Sequence, residues 1–154
     1  MGDYKTKKIK SKKSNYEKSI INNNNPNKYY SDNPSWAFSS IDAKMWTISK
    51  ENIGDIIWDE IFPKLKNLET QTWEEILIKG KKLNHSINIK YLNKKAVDRL
   101  AEKYIELDSI ISLRLTGKHR LYGYIQKSTF YVLWYDDNHG DNNECVCRSN
   151  LKHT

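Results

Sequence analysis

Apolar residues recur at helical spacing in two stretches of the middle of the chain. From about 50 to 68, isoleucines and leucines three or four positions apart predict an amphipathic helix, with Ser49 as its N-cap and Pro63 as a kink or break. From about 93 to 104, alanine, valine, leucine and tyrosine repeat the same spacing and predict a second amphipathic helix. Both segments are therefore expected to bury one face.

A short helix is predicted between these two. Thr72 is followed three residues later by Glu75, and this Thr-x-x-Glu pattern indicates a capping box. The helix is expected to continue to about Lys79 and to end at Gly80. The polar segment 81–90 is predicted to be an ordered loop.

The last third of the chain changes from a helical period to an alternating one. Three runs rich in β-branched and aromatic residues extend over 109–115, 119–125 and 129–135. The linkers between them have the length of turns. These runs predict a three-strand antiparallel meander, and residues 45–48 predict one further short strand.

Helices that precede a strand meander indicate an α+β fold. We expect helices packed on one face of an antiparallel sheet that is formed mainly by the C-terminal meander, in a single domain over 34–145. Residues 1–33 are rich in Lys, Ser and Asn and offer too little apolar surface to offset the entropy of ordering. They are predicted to form a disordered basic arm, and 146–154 a polar C-terminal tail.

The charge of the 154-residue chain is +7 and is unevenly distributed. Residues 1–32 contain eight lysines against three acidic residues. A basic segment suggests an anionic partner, but charge alone does not separate nucleic acid from a membrane surface or from simple solubility. There is no run of about 18 apolar residues, and the lysine-rich N-terminus lacks the apolar stretch of a secretory signal. The sequence therefore predicts a cytoplasmic protein with no membrane partner.

The two cysteines agree with a reducing compartment. Only one residue separates Cys145 from Cys147, so a disulfide between them would be strained and would constrain almost no loop. With His139 and His153 they form a His-x5-Cys-x-Cys-x5-His pattern of zinc-binding residue types. Because Cys-x-Cys is a less common zinc spacing, we predict unpaired thiols, no metal and no cofactor.

The middle strand of the predicted meander carries the most suggestive side chains. Alternation puts Arg120, Tyr122 and Tyr124 on one face, and Arg114 of the neighbouring strand can share it. A guanidinium beside aromatic rings can bind a phosphate while bases stack on the rings. The alternative explanation is an ordinary solvated sheet face. On the opposite face, His119 is expected to be a hydrogen-bonded core or edge residue.

The order of these elements resembles the RelE/ParE toxin superfamily. Many of its members have a Gly-x-x-Arg-Leu/Ile-x-Tyr strand, followed by an apolar strand and a terminal His or Tyr region. The resemblance covers roughly residues 44–140 and rests on the strings 113–115, 117–122 and 130–133. Further strings, such as 34–39 and 152–154, look like an uncharacterised family of small prokaryotic proteins, which supplies no activity.

The toxin resemblance implies a metal-independent endoribonuclease in which the RNA 2′-hydroxyl attacks the adjacent phosphate. Such a reaction needs a base, a cation for the charged transition state and an acid for the leaving oxygen. On this resemblance, Arg120 would stabilise charge, His139 would be acid or base, and Tyr135 and Tyr122 would stack or donate. No acidic residue is assigned as the general base. The implied partners are RNA or the ribosome, and an antitoxin.

A non-catalytic module is the second hypothesis. It would bind nucleic acid or another protein, for example as a phage or host-defence component that blocks its target, and it needs no general base. His85 and His119 are considered both as catalytic candidates and as structural residues. The remaining candidates for nucleic-acid binding are Arg114, Lys118 and Tyr124 on the sheet, and Lys7, Lys8, Lys10, Lys12 and Lys13 in the arm.

Overall fold

The computed structural model describes residues 29–140 and 144–148 and contains one five-stranded sheet. The strand order is β1-β5-β4-β3-β2; β1 runs parallel to β5, and all other neighbours are antiparallel. The α+β class and the C-terminal meander are confirmed. The strands are β1 (Ser35–Ala37), β2 (Asn84–Asn88), β3 (Ser109–Arg114), β4 (Arg120–Gln126) and β5 (Thr129–Asp136).

The helical elements are short. No helix of the described residues is long and apolar enough to cross a membrane. The elements are α1 (Lys50–Ile53), a first π-helical turn (Ile57–Ile61), α2 (Phe62–Leu68), a second π-helical turn (Glu75–Lys79), a 3-10 turn (Ile89–Tyr91) and α3 (Lys94–Glu102).

The single helix predicted over 50–68 is divided into three pieces. Gly54 ends α1 with a positive φ of 52°, a conformation that glycine adopts without strain. The first π-helical turn then joins α2, and its closing bond runs from the Phe62 N–H to the Ile57 carbonyl. Pro63 follows in the first turn of α2, where its missing N–H costs least. Pro63 therefore lies directly after the change from π-helical to α-helical hydrogen bonding.

The strand predicted at 45–48 does not form. Trp46 has a positive φ of 46°, which a strand does not tolerate, and the carboxylate of Asp42 accepts hydrogen bonds from the Lys44 and Met45 N–H groups. The segment is instead a bend that contacts β5 through the Tyr135 N–H and the Trp46 carbonyl, at 2.9 Å.

The segment 81–90, predicted to be a loop, contains the edge strand β2. Its backbone pairs antiparallel with β3, with Ile87 opposite Ile110. Only Asn84 and Ile87 of β2 are buried. The other side chains of the strand are partly or fully exposed, and they are polar. Polar side chains are typical of edge strands, and for this reason the pattern indicated a loop.

Helices cover both faces of the sheet, and the expectation of a single covered face is wrong. One face packs on α1, α2 and the second π-helical turn through a cluster that includes Trp73 and Phe130. The other face packs on α3 and on residues 145–147 through Tyr122 and Trp134. The reason lies in β4, where every residue from Arg120 to Ile125 is buried, so that both of its faces need a cover.

A β-bulge allows β5 to contribute side chains to the hydrophobic clusters on both faces of the sheet. Tyr122 pairs with Trp134 and Gly123 pairs with Val132, so Leu133 is the extra residue. Val132 belongs to the first cluster, whereas Leu133 and Trp134 both belong to the second. Beside the bulge, a Cβ on Gly123 would lie 2.2 Å from the Tyr131 carbonyl oxygen, so only glycine fits there.

The folded part is longer than the predicted 34–145. Tyr29, assigned to the arm, is buried and its ring packs edge-to-face on Trp73, with 6.4 Å between centroids. At the other end, Val146 and Cys147, which were assigned to the polar tail, are buried. The backbone of Cys147 forms an isolated antiparallel β-bridge with Leu92. These apolar residues are isolated within polar sequence and therefore gave no periodic signal. Most of the arm and 149–154 lie outside the described residues.

A buried ion pair joins α3 to the loop before α1. Asp42 accepts hydrogen bonds from Arg99 Nε and Nη2, both at 2.8 Å, and from Trp134 Nε1 at 2.9 Å. Arg99 also bonds Glu102, which is exposed. Burial raises the pKa of Asp42, but the hydrogen bonds from Arg99 and Trp134 outweigh it and hold that pKa far below its ordinary value.

We expect Asp42→Asn to lower the free energy of unfolding by about 3–5 kcal/mol, because the variant removes the buried partner of Arg99 and leaves its guanidinium with only the exposed Glu102. Urea unfolding at pH 7 measures the loss. Glu102→Gln removes only the exposed partner and should cost less than about 1 kcal/mol. Since the pKa of Asp42 is lowered in the fold, its contribution is present above the unfolded value of about 3.9 and is lost as the pH falls through the folded pKa. Equal losses in the two variants would show that the Asp42 carboxylate stabilises the fold no more than the exposed Glu102 does.

Gly123→Ala is expected to destabilise the protein by roughly 2–4 kcal/mol, because its Cβ collides with backbone that cannot move. Gly117→Ala is the control, since Gly117 has a positive φ of 52° and open space around the site of a Cβ. That control should cost about 1 kcal/mol. Thermal unfolding followed by circular dichroism compares the two, and a Gly123→Ala variant as stable as Gly117→Ala would show that the bulge tolerates a side chain.

Candidate functional site

Two arginines stand opposite each other at one end of the sheet. Arg114 is the last residue of β3 and is directly paired with Arg120, the first residue of β4. Directly paired residues have Cβ atoms about 4.5–5.5 Å apart, and like charges in this position destabilise a sheet. No carboxylate of residues 29–140 or 144–148 forms a salt bridge with either guanidinium. The pair is therefore a concentration of positive charge without a salt-bridged carboxylate among these residues.

The guanidinium of Arg120 is held in place by backbone. Its Nη1 donates to the carbonyl oxygens of Gly117 at 2.8 Å and His119 at 3.0 Å, and the residue is only 9% exposed. Burial lowers the pKa of Arg120, and the like charge of Arg114 lowers it further. An arginine has five N–H donors, so Nε and Nη2 are left to bind an anion.

The carboxylate that pairs with Arg120 in the sheet register is engaged elsewhere. Asp136 lies opposite Arg120 on β5, but its oxygens accept hydrogen bonds from the Asn138 and Val146 N–H groups, both at 2.8 Å. Burial raises the pKa of Asp136. Asp136 therefore fixes the C-terminal segment and forms no ion pair with Arg120.

A lysine from a helix adds to the positive charge. Lys64 of α2 is half-buried, and burial followed by the charge of Arg114 lowers its pKa. The exposed Lys118 lies in the loop between β3 and β4. The cations thus come from α2, from two strands and from their connecting loop. Several cations around a rigid guanidinium are the arrangement that binds a phosphate.

Tyr122 and His139 meet on the same sheet face as Arg120. The Tyr122 hydroxyl lies 3.3 Å from His139 Nδ1 and 3.3 Å from Cys147 Sγ. Burial raises the pKa of Tyr122 well above its ordinary value. The ring is fully buried and has no surface on which a base could stack. Burial also raises the pKa of the Cys147 thiol to about 11, so this thiol is neutral and unreactive at neutral pH.

The other predicted tyrosines are packed inside the fold. Tyr135 is buried on the opposite sheet face, where burial raises its pKa and its ring centroid lies 5.7 Å from that of His119. Tyr124 does share the face of Arg120, but its ring stacks on Tyr131, with centroids 5.1 Å apart, and its hydroxyl bonds Ser40. The structure thus brings Arg120, Tyr122 and His139 together and leaves Tyr135 apart.

An acidic residue that the sequence pattern did not single out lies beside His119. Glu60 Oε2 lies 2.8 Å from His119 Nδ1, and Glu60 Oε1 accepts hydrogen bonds from the Thr116 N–H and hydroxyl. Burial raises the pKa of Glu60, but the hydrogen bonds from Thr116 and His119 outweigh it, so the pKa falls below its ordinary value. A signal was present, because Glu60 interrupts the isoleucine stripe of the predicted helix.

The metal-ligating residue types do not gather into a site. Within the described ranges, no group of three or more His, Cys, Asp or Glu residues is arranged to hold a metal ion. His85 lies in β2 opposite Ser112, on a strand and not in a loop. His153 lies outside the described residues, as do Lys7, Lys8, Lys10, Lys12 and Lys13.

Comparison with protein-family models, with curated proteins and with solved structures finds no match to this chain. The function must therefore be argued from the site itself.

We expect inorganic phosphate to stabilise the protein through the arginine pair. At a phosphate concentration ten times the Kd, a single site raises the free energy of unfolding by about 1.4 kcal/mol. Arg114→Gln should abolish this gain, yet in chloride alone it should be as stable as the wild type or more stable by a few tenths of a kcal/mol, because it removes like-charge repulsion.

Thermal unfolding in phosphate and in chloride at equal ionic strength measures the effect. Lys127→Gln removes one exposed charge from the β4–β5 turn, at the opposite end of β4 from Arg120, and should keep the full phosphate gain. An Arg114→Gln variant that phosphate stabilises as much as the wild type would exclude this site.

Proposed function

We propose that the protein is a cytoplasmic, RelE-like, metal-independent endoribonuclease that acts on RNA, either free or on the ribosome. The observation that carries the proposal is the pair Arg114 and Arg120, two adjacent guanidinium groups without a salt-bridged carboxylate among the described residues. A phosphodiester would supply an anion that both guanidinium groups can bind directly. His119 belongs to one face of the sheet and His139 to the other.

In the proposed reaction the RNA 2′-hydroxyl attacks the adjacent phosphorus, and the bond to the 5′ oxygen breaks. Arg120 and Arg114 bind the non-bridging oxygens and stabilise the charge that grows on them. Arg120 does so at little reorganisation cost, because the Gly117 and His119 carbonyls already hold its guanidinium. The products are a 2′,3′-cyclic phosphate and a 5′-hydroxyl.

His139 is the candidate acid for the leaving oxygen, and the Tyr122 hydroxyl positions its ring. Tyr122 is a positioning residue in this proposal, because its own ring is buried and its raised pKa keeps the hydroxyl protonated. Tyr135 receives no role, since it is buried on the opposite face.

The test is cleavage of a labelled RNA oligonucleotide, alone and on programmed ribosomes, in the presence of EDTA. We expect a cyclic-phosphate product, and a rate reduced about 10²–10³-fold by Arg120→Ala, as when one transition-state donor is removed elsewhere. Arg114→Gln should reduce the rate and lower the salt slope of RNA binding by about one. Lys127→Gln, at the far end of β4, is the matched control and should leave the rate of cleavage unchanged.

Deletion of residues 1–28 separates the arm from the site. This cut keeps Tyr29, which is part of the core. It should lower the salt slope of binding, because the arm lysines are removed, and should leave cleavage largely intact. Loss of cleavage on this deletion together with a silent Arg120→Ala would place the function in the arm. Failure of the wild type to cut any RNA would exclude the proposal.

A non-catalytic module is the second candidate, and an exposed aromatic patch favours it. Trp58 is 66% exposed and stacks edge-to-face on Phe62, which is also exposed, beside a groove of about 540 Å³ that Trp36 and Phe38 help to line. Exposed Trp and Phe side chains are typical of protein interfaces. This patch would suit an antitoxin or the target of a phage or host-defence inhibitor. Growth arrest that needs Trp58 but not Arg120, without RNA cleavage, would favour this function.

A further inference from the structure

A carboxylate orients the imidazole of His119. Glu60 Oε2 lies 2.8 Å from His119 Nδ1. An ionised carboxylate only accepts hydrogen bonds, so Nδ1 carries the proton and the lone pair of the neutral ring is on Nε2. The His119 side chain is 30% exposed, and the described residues offer no hydrogen bond to Nε2. Nε2 is therefore free to accept a proton from a bound molecule.

The surrounding contacts fix this arrangement. Thr116 donates to the second oxygen of Glu60 through both its N–H and its hydroxyl. The His119 N–H closes the β3–β4 loop by donating to the Thr116 carbonyl at 2.8 Å. On the other side, the His119 and Tyr135 rings pack in a T-shaped arrangement. Glu60 and Tyr135 are thus the titratable groups that face the imidazole, and together they leave it one orientation.

The His119 imidazole and the arginine pair occupy the same end of the sheet. Arg120 follows His119 directly and donates to its carbonyl oxygen. On the helical side, Lys64 follows Glu60 by four residues in the next helical turn, and burial and then the charge of Arg114 lower its pKa. The positive charge therefore extends from Arg120 through Arg114 and Lys64 toward the pair formed by Glu60 and His119.

We propose that His119 is the general base of the endoribonuclease and that Glu60 is its positioning residue, an inference that rests on the function proposed above. His119 Nε2 takes the proton of the RNA 2′-hydroxyl as the 2′ oxygen forms its bond to phosphorus. The bond from phosphorus to the 5′ oxygen breaks, and that oxygen receives its proton from His139. His119 ends protonated next to the Glu60 carboxylate, which stabilises the imidazolium.

The opposite sheet faces of the two histidines agree with these roles. In-line displacement requires the proton acceptor and the proton donor on opposite sides of the phosphorus atom. His119 belongs to the face that carries Tyr135, and His139 to the face that carries Tyr122. In this proposal, the base is therefore assigned to one face of the sheet and the acid to the other.

The test compares His119→Ala with the wild type in single-turnover cleavage of an RNA oligonucleotide in EDTA. We expect the rate of the chemical step to fall about 10²–10⁴-fold, the range of general acid–base catalysis. Binding of an uncleavable 2′-deoxy oligonucleotide should stay within twofold, because the arginines are intact. Added imidazole should restore part of the activity of His119→Ala, which a purely structural role for His119 would not produce.

Glu60→Gln should lower the rate by less than His119→Ala and should gain nothing from imidazole, since the histidine is still present. His85→Gln is the matched histidine control and should cleave normally. Circular dichroism and thermal melts check the fold of each variant, and His119→Gln replaces His119→Ala if the latter does not fold.

A His119→Ala variant that cleaves at the wild-type rate, while Arg120→Ala does not, would overturn this inference and leave the proposed function standing. Reduced activity of His119→Ala without rescue by imidazole and with weaker oligonucleotide binding would also overturn it, because it would indicate a structural role. A wild type that cuts no RNA would overturn both.

Discussion

A carboxylate without access to water, Asp42, joins three separate parts of the chain. It holds Arg99 of α3, Trp134 of β5 and the bend after residue 42 through one pair of oxygens. Its own N–H donates to the Leu133 carbonyl at 3.0 Å, directly at the bulge. Because a buried charge needs every one of its partners, this interaction fixes the position of α3 against the second face of the sheet. The contact thus lies at the bulge that sets the register in which Asp136 pairs with Arg120.

The sequence predicted those parts of the fold whose pattern is local. The meander follows from alternation and turn spacing, and α3 from its apolar stripe and from Asn93, whose side chain caps the helix by accepting the Lys95 N–H. The missed elements depend on distant partners. β1 is a strand because it pairs with β5, and β2 because it pairs with β3, so no local pattern could indicate either. The division of the predicted helix at Gly54 needed the positive φ to be known.

The candidate site also combines features that follow from a local sequence pattern with features that depend on distant contacts. Alternation correctly put Arg120 and Tyr122 on one face, but it could not indicate that Val146, from a polar segment, would return to cover that face. The predicted stacking surface is therefore a buried one. Glu60 stands 59 residues before His119, and only the packing of a helix on the sheet brings the two together. Sequence alone can propose single residues of a site, whereas pairs across the fold require the tertiary structure.

The parallel pairing of β1 with β5 has a consequence for synthesis. β5 lies between β1 and β4, so the sheet is continuous only when β5 has been made. Ser35 pairs with Thr129 across 94 residues, and pairings of such high sequence separation form late. A nascent chain that still holds residues 129–136 inside the ribosomal exit tunnel cannot align Asp136 with Arg120 or close the cover over Tyr122. The arginine pair and its surroundings are therefore completed only after residues 129–136 have left the ribosome that makes them.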